Sequence, residues 1–526
     1  MKRTIVIFCL LLVSRVAFAQ QVSIFPAPVS MECRSGYFVF DGSNAFELHP
    51  DNTQMREAVE VFAERFGRSS GMDIQVAAKG DIVCSLSEKV DNPEGYELTV
   101  TPKKIRITAS TPAGVFYALQ SVRQLLPPQV ESAEVAEGVA WRIPCVVVKD
   151  APRFAYRGAM FDVCRNFFDK EFILQYIDIL ALHKINRFHW HLTDDQGWRI
   201  EIDRYPKLTS VGAFRDRTML TQTVVKPRVW DNTPVGGFFT RDDVREVVEF
   251  ARKRNIEVIP EIEMPGHALA ALSAYPQYSC TGGPFEVDGK WGVFNDIFCP
   301  KEETFVFLQN ILDEVVELFP SRYVHIGGDE APKVRWKRCH HCQELMEREG
   351  LENETELQAW FTNRMETYLR QKGKTVIGWD EILDGDINRS AVVMSWRGYE
   401  GGMKAAKRGH DVIMCPNKYL YFDYYQFDND RGPLEKRHRI PLEKVYCFNP
   451  VPEGLDAAEQ SHIMGVQANM WTEYVRTPEY AQYLLFPRLT AYSEMAWGTN
   501  GDYGAFLERL KDFEKRYEVI GINYAK

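Results

Sequence analysis

The segment TRDDVREVVEFARKRNIEVIPEIEM, Thr240–Met264, contains one complete helix-to-strand unit. Its first part reads as an amphipathic helix. Asp242 and Asp243 fall in the first turn and Arg252, Lys253 and Arg254 in the last, each sign at the helix end whose dipole it complements. Its second part, EVIPEIEM (Glu257–Met264), is a short apolar run rich in β-branched residues, the composition of a buried strand. The same alternation recurs from Asp150 onward. Strands are expected at Tyr156–Val163, Ile185–Asp194, Glu257–Met264, Tyr323–Glu330, Thr375–Glu381, Ala391–Gly398, Asp411–Pro416 and Ile463–Trp471. Helical patterns such as DKEFILQYIDILALHK separate most of them. Eight strands alternating with helices predict an α/β fold, a (β/α)8 TIM barrel over residues 151–498. A doubly wound open sheet would carry a Gly-rich phosphate loop after its first strand, and none follows here.

Residues 21–150 read differently. YELTVTPKKIRITA reads as two alternating strands about a PKK turn. TPAGVFYALQSVRQLL reads as a helix with Thr111 as its cap and Pro112 at its first position. This predicts a small α+β domain ahead of the barrel. The stretch YGAFLERLKDFEKRYEVI, within residues 499–526, is expected to form a C-terminal helix packed on the barrel exterior.

The chain has 526 residues, 45% hydrophobic and 26% charged, with a net charge of −10 and no long basic run. That charge balance argues against a nucleic-acid partner. Aromatic residues make up 13% and include 11 tryptophans, side chains that serve as platforms for sugars when exposed. Lys2 and Arg3, the apolar run Ile5–Val13 and the small residues Ala17 and Ala19 read as a signal peptide over residues 1–19, predicting an exported protein, periplasmic or secreted. No later stretch is apolar and long enough to span a membrane. Among the cysteines, Cys280 and Cys299 flank a Gly-rich segment whose loop they can close. Cys339 and Cys342 form a CxxC with no second CxxC, which predicts a local disulfide or inert thiols and no metal.

An active site on a (β/α)8 barrel lies at the C-terminal ends of its strands. The first strand ends at Asp162 with Arg165 beyond it. The second ends at His189, His191, Asp194 and Asp195, and the third at Glu261, Glu263 and His267. The fourth ends in two adjacent carboxylates, Asp329 and Glu330, after Gly327 and Gly328. The fifth and sixth bring Trp379, Asp380, Glu381, Trp396 and Arg397, the seventh Tyr421 and Asp423, and the eighth Trp471 and Glu473. Acids supply proton transfer, tryptophans stack on a pyranose ring, and arginine and carboxylates bind its hydroxyls. Together they predict a glycosidase site.

In this order, FDVCRNF, FHWHLTDDQGW, EIEMPGHA, HIGGDE, GWDE, SWRG, YLYFD and MWTE resemble glycoside hydrolase family 20, the β-N-acetylhexosaminidases. The resemblance covers about Pro152 to Trp497, and the N-terminal module looks like the domain that often precedes that barrel. It implies an exo-acting enzyme that removes terminal N-acetyl-β-hexosamine with retention, through an oxazolinium intermediate and without a cofactor. It implies Glu330 as general acid/base, Asp329 as the group that holds the 2-acetamido N–H, and Tyr421 as the hydroxyl that aims the acetamido oxygen. Trp379, Trp396 and Trp471 are the implied aromatic walls. Arg165, Asp423 and Glu473 are the implied hydroxyl ligands, and Asp194 and His267 a pair that tunes Glu330. Burial and the charge of Asp329 are expected to act on Glu330. Gly327 and Gly328 are expected to keep the floor low for a sugar. The loop Leu220–Phe239 is expected to shape the leaving-group side. His189, His191 and His325 are expected to be structural. A metal-dependent amidohydrolase would use an HxH strand pair with His267, His325 and Asp329, but on its first strand and with no use for the tryptophans.

Overall fold

The computed structural model describes residues 22–223, 225–428, 430 and 439–526; the expected signal peptide lies outside them. The N-terminal part is a seven-stranded sheet. Its strands are β1 (Ser30–Val39), β2 (Ala45–His49), β3 (Gln75–Val76), β4 (Ile82–Leu86), β5 (Tyr96–Thr101), β6 (Lys104–Ala109) and β7 (Arg142–Asp150). Their spatial order is β1-β7-β5-β6-β4-β2-β3, antiparallel from β1 to β6 and parallel from β6 to β3. Helices Thr53–Ser70 and Pro112–Leu125 pack on each other beside it. Thr111 stands at the N-cap of the second helix but does not cap it, because its hydroxyl donates to the Pro93 carbonyl.

Eight parallel strands then close into a barrel: β8 (Tyr156–Asp162), β9 (Arg187–His191), β10 (Glu257–Glu261), β11 (Tyr323–His325), β12 (Thr375–Trp379), β13 (Val392–Ser395), β14 (Val412–Met414) and β15 (Ile463–Met470). They follow in chain order, and β15 pairs with β8 to close the ring. Every strand expected from the sequence is present, each shorter at its C-terminal end. The reason is clearest in β11. Gly327 (φ +66°), Gly328 (φ +94°) and Glu330 (φ +42°) adopt left-handed backbone, which no strand can continue through. The lost strand residues become the rim on which the site is built.

Helix Arg241–Lys253 carries a capping box in which Thr240 and Asp243 satisfy each other's backbone N–H. The register of the barrel sets Asp162 opposite His191, His191 opposite Glu261, and Glu261 opposite His325. That register brings His191 and His325 to either side of Glu261, and Asp162 beside His191, at the C-terminal ends of the strands.

The helix Tyr503–Ile520 packs on more than the barrel exterior. Phe513 meets His183 of the barrel edge-on and also Phe25 of the N-terminal segment. Arg516 donates to the carbonyls of Gln124 and Leu126 and faces Glu131, all in the N-terminal domain. The helix is a wedge joining the two. Between Leu220 and Phe239 the chain is not simply a loop. Thr218–Met219 pairs with Trp230–Asp231, and Phe214–Arg215 with Val235–Gly236, in two short antiparallel ladders. No helix among the described residues is long and apolar enough to cross a membrane.

Candidate active site

The rim is organised around a buried carboxylate, Glu261. His189 Nε2 lies 3.0 Å from it, His325 Nδ1 2.8 Å, and His191 Nδ1 is in direct contact with it. Trp379 Nε1 donates to its second oxygen at 2.8 Å. Burial works against charging either partner, yet the surrounding imidazoles hold Glu261 well below the usual carboxylate range, and Glu261 with Asp194 raises His191 to about 10. The three histidines thus converge on a carboxylate and fix the Trp379 indole above it. His189, instead, is lowered to about 4 by its burial.

His191 also passes the order outward. Its Nε2 lies 3.0 Å from Asp194, and Asp194 is 2.7 Å from Arg165. Arg165 further contacts Asp162 at 3.3 Å and the Gln196 side-chain oxygen at 3.1 Å. Its guanidinium lies 4.8 Å from the centre of the Trp471 ring. Asp162 accepts from the backbone N–H of Arg165 and of Thr472, which ties the ends of β8 and β15 together. A guanidinium has five N–H donors, so Arg165 is oriented by three contacts and still has donors to offer.

Opposite this group stands His267, itself in left-handed backbone at φ +46°. Its Nδ1 lies 2.9 Å from Asp195 and 3.2 Å from Asp194. Its Nε2 faces both Asp329 (3.5 Å) and Glu330 (3.7 Å). Burial disfavours a charged imidazole, but the charges of Asp194 and Asp329 outweigh it and raise His267 well above its ordinary value. The expected pairing of Asp194 with His267 is therefore shared. Asp195 makes the closer contact and accepts from the Leu269 backbone N–H, while Asp194 is shared with Arg165 and His191.

The two adjacent carboxylates occupy different surroundings. Asp329 is buried, and its Oδ1 has no hydrogen-bond partner among the described residues. The Glu330 side chain is 43% exposed. The burial expected for Glu330 thus falls on Asp329. Left-handed backbone at Glu330 and His267 costs of order 1–3 kcal/mol each, a cost tolerated where geometry serves a site.

The aromatic walls come together. Trp471 lies 5.9 Å from Trp379 and 6.1 Å from Tyr421 between ring centres, and Trp396 stacks on Tyr421 at 6.1 Å and 17°. Burial, with Asp329 and Asp423 among the nearby charges, raises the Tyr421 phenol well above its usual value, so it stays a donor. Burial opposes a charged Arg165, but the charges of Asp194, Asp162 and Glu473 outweigh it and raise the guanidinium well above its ordinary value.

Two acids placed at strand ends by the sequence have surroundings that it did not reveal. Glu263 is buried with no hydrogen-bond partner for either oxygen among the described residues, and burial followed by the charge of Asp329 raises it well above the carboxylate range. Glu381 accepts from Trp396 Nε1 at 2.9 Å, and burial followed by Asp329 pushes it up to about 8. The ExE spacing of Glu261 and Glu263 was the available signal for the first. Glu263 also corrects the reading of the glycines. The space beside Gly327 is filled by the Glu263 carboxyl, and that beside Gly328 by Ile382, so neither glycine opens a floor for a ligand.

A barrel rim with a carboxylate pair, an imidazole behind it and an aromatic wall beside it defines a carbohydrate hydrolase of the barrel type. Residues 154–500 match the model of the glycosyl hydrolase family 20 catalytic domain, and residues 21–151 that of the family's domain 2. The chain belongs to glycosyl hydrolase family 20. It is 41% identical over 518 residues to a beta-hexosaminidase of Porphyromonas gingivalis, covering 96% of this chain but 64% of that relative's length. A beta-hexosaminidase of Akkermansia muciniphila is 33% identical, with 82% and 85% covered. Among solved structures, the beta-N-acetylhexosaminidase of Bacteroides fragilis superposes with a TM-score of 0.81 at 31% identity, covering 96% of this chain and 97% of that one. The Streptomyces plicatus enzyme superposes at 0.82 and 29%, with 96% of each chain covered.

Proposed function

We propose that this chain is an exo-acting β-N-acetylhexosaminidase that works with retention of configuration, using the substrate's own acetamido oxygen as nucleophile. The observation that carries the reading is the division of labour between Asp329 and Glu330. A buried carboxylate oxygen without a donor costs about 1–3 kcal/mol or more. An acetamido N–H placed against Asp329 Oδ1 would supply that donor. The same contact would stabilise the positive charge that develops on the amide as its carbonyl oxygen attacks C1. The Tyr421 phenol would hold the carbonyl oxygen, between the walls of Trp379, Trp396 and Trp471.

Glu330, the exposed member of the pair, would face the side on which a leaving group departs. It would protonate the glycosidic oxygen and then take a proton from the water that opens the oxazolinium ring. His267, with Asp194 and Asp195 behind it, would compensate the charge of both carboxylates. No second carboxylate is needed as nucleophile, which distinguishes this site from the two-acid glycosidases. The remaining donors of Arg165 would take the C3 and C4 hydroxyls, and Asp423 and Glu473 the C4 and C6 hydroxyls. The relatives named above are beta-hexosaminidases, which supports a terminal N-acetylhexosamine as substrate. The N-terminal leader pattern supports action outside the cytoplasm.

The deciding experiment compares an aryl N-acetyl-β-glucosaminide with the otherwise identical β-glucoside. Turnover is expected of the first and almost none of the second. Comparable rates on both would remove the amide from the mechanism.

A further inference from the structure

The four cysteines Cys280, Cys299, Cys339 and Cys342 meet although they come from two separate segments. Cys280 and Cys299 bracket the excursion that follows β10. Cys339 stands at the N-cap position of the helix His340–Glu349, which follows β11, and Cys342 lies in its first turn. All four sulfurs lie within 4.8 Å of one another. Cys280 Sγ is 3.7 Å from Cys342 Sγ, Cys299 Sγ is 3.7 Å from Cys342 Sγ, and Cys299 Sγ is 3.9 Å from Cys339 Sγ. A disulfide needs about 2.05 Å. Zinc at about 2.3 Å from each of four sulfurs at tetrahedral corners sets them about 3.8 Å apart. These three of the six spacings match the second geometry, and the other three lie within 4.8 Å.

We infer that these four thiols form a closed tetrahedral site for a structural zinc ion. The CxxC has no second pair near it in the sequence, and the fold supplies one from Cys280 and Cys299, 62 and 43 residues before Cys342. The surroundings suit thiolate ligands. The N-terminus of a ten-residue helix stabilises negative charge on Cys339 and Cys342. Ile297, Ala331, Trp336, Leu345 and Leu357 form an apolar cluster around the buried Cys299 and Cys342, and the half-buried Cys280 and Cys339 pack against it. Four protein ligands leave no open position, so the ion would brace structure and perform no chemistry.

The site joins the excursion from β10 to the chain that leaves Asp329 and Glu330. The same two segments are already linked by Trp336 Nε1 to the Phe298 carbonyl at 3.0 Å and by Arg335 to Asp296 at 2.8 Å. Binding releases the remaining thiol protons, so affinity should fall as pH falls.

The test is metal analysis of the full chain purified without added zinc or chelator, together with its mass after alkylation in denaturant without reductant. About one zinc per chain is expected, with all four thiols alkylated once a chelator and denaturant release the metal. Substituting cobalt should give the intense visible bands of a tetrahedral cobalt thiolate. The double variant Cys339→Ser/Cys342→Ser should lose the metal and melt several degrees lower, while a Cys33→Ser/Cys447→Ser control keeps it. If the double variant does not fold, zinc titrated into chelated unmutated protein gives the stoichiometry directly. A mass short of the fully alkylated chain by four whole alkyl groups, showing two disulfides, overturns the proposal. So does reduced protein that takes up no zinc.

Discussion

A Cβ placed on Gly327 would stand 1.6 Å from Glu263 Oε2. The carboxyl of one segment thus occupies the space the other leaves, directly beneath the Asp329–Glu330 turn. Gly327→Ala must expel Glu263 and also place a side chain at φ +66°. The expected cost is about 2 kcal/mol or more in denaturant unfolding, with a fall in turnover as the turn shifts. An alanine variant with unchanged stability and rate would show that Glu263 does not support the turn.

Glu330→Gln should lower turnover roughly a hundredfold or more for a substrate with a poor leaving group, with little change in binding of the product sugar. The loss should shrink in the first step for a nitrophenyl leaving group, which needs less protonation. Asp329→Asn should lower turnover by about two to three orders of magnitude on both, because positioning and charge stabilisation of the amide do not depend on the leaving group. Pre-steady-state rates on the two substrates separate the roles. An identical pattern in both variants would contradict the division proposed for the pair.

Glu381 gives a pH signature. Its folded pKa, about 8, lies above its ordinary value of 4.5 because burial and the charge of Asp329 oppose ionisation. The folded state therefore keeps a proton that the unfolded state gives up, and stability drains away as pH rises between those two values. Glu381→Gln keeps an acceptor for Trp396 Nε1 and removes the charge. Its melting temperature should match the parent near pH 4.5, exceed it by a growing margin up to pH 8, and hold that margin above. Parallel melting curves across that range would show that Glu381 titrates normally.

Much of this was legible in the chain. The helix dipole pattern of Arg241–Lys253 and the eight β-branched runs suffice for the barrel, because each is a local pattern repeated. Arg165, Asp194, His267, Asp329, Glu330, Trp379, Trp396, Tyr421 and Trp471 come together at one rim, since position at a strand end is also a local property. What the sequence hid depends on distance between segments. Nothing near Gly327 indicates that Glu263 fills its space. Nothing in RCHHCQ indicates that Cys280 and Cys299 arrive beside it. The partner of His267 turned on a choice between two adjacent aspartates, which only the orientation of their carboxylates decides. The strands end sooner than their apolar runs for a related reason, since left-handed backbone at a non-glycine such as Glu330 has no sequence mark.

The joint between the two domains offers the last prediction. Asp178, on the barrel helix Lys170–Leu182, meets Arg65 and Arg123 of the N-terminal domain and Arg254 of the barrel, the last two at 3.1 and 3.0 Å. Its burial favours the neutral acid, but the charges of Arg123, Arg65 and Arg254 prevail and hold it far below the usual carboxylate range. A depressed carboxylate stabilises the fold above its unfolded pKa, about 3.9, and that contribution disappears as pH falls toward the folded value. Asp178→Asn leaves buried guanidinium groups short of a counter-charge and should cost about 3 kcal/mol at pH 7. The penalty should shrink as pH falls below about 4, where the parent's own contribution starts to be lost. Because the contact spans the joint, the variant's unfolding at pH 7 should also separate into two transitions, N-terminal domain first, when followed by two probes. A variant as stable as the parent at pH 7, or one whose penalty does not change with pH, would show that the arginines are satisfied without Asp178 and that the joint is held by the helix Tyr503–Ile520 instead.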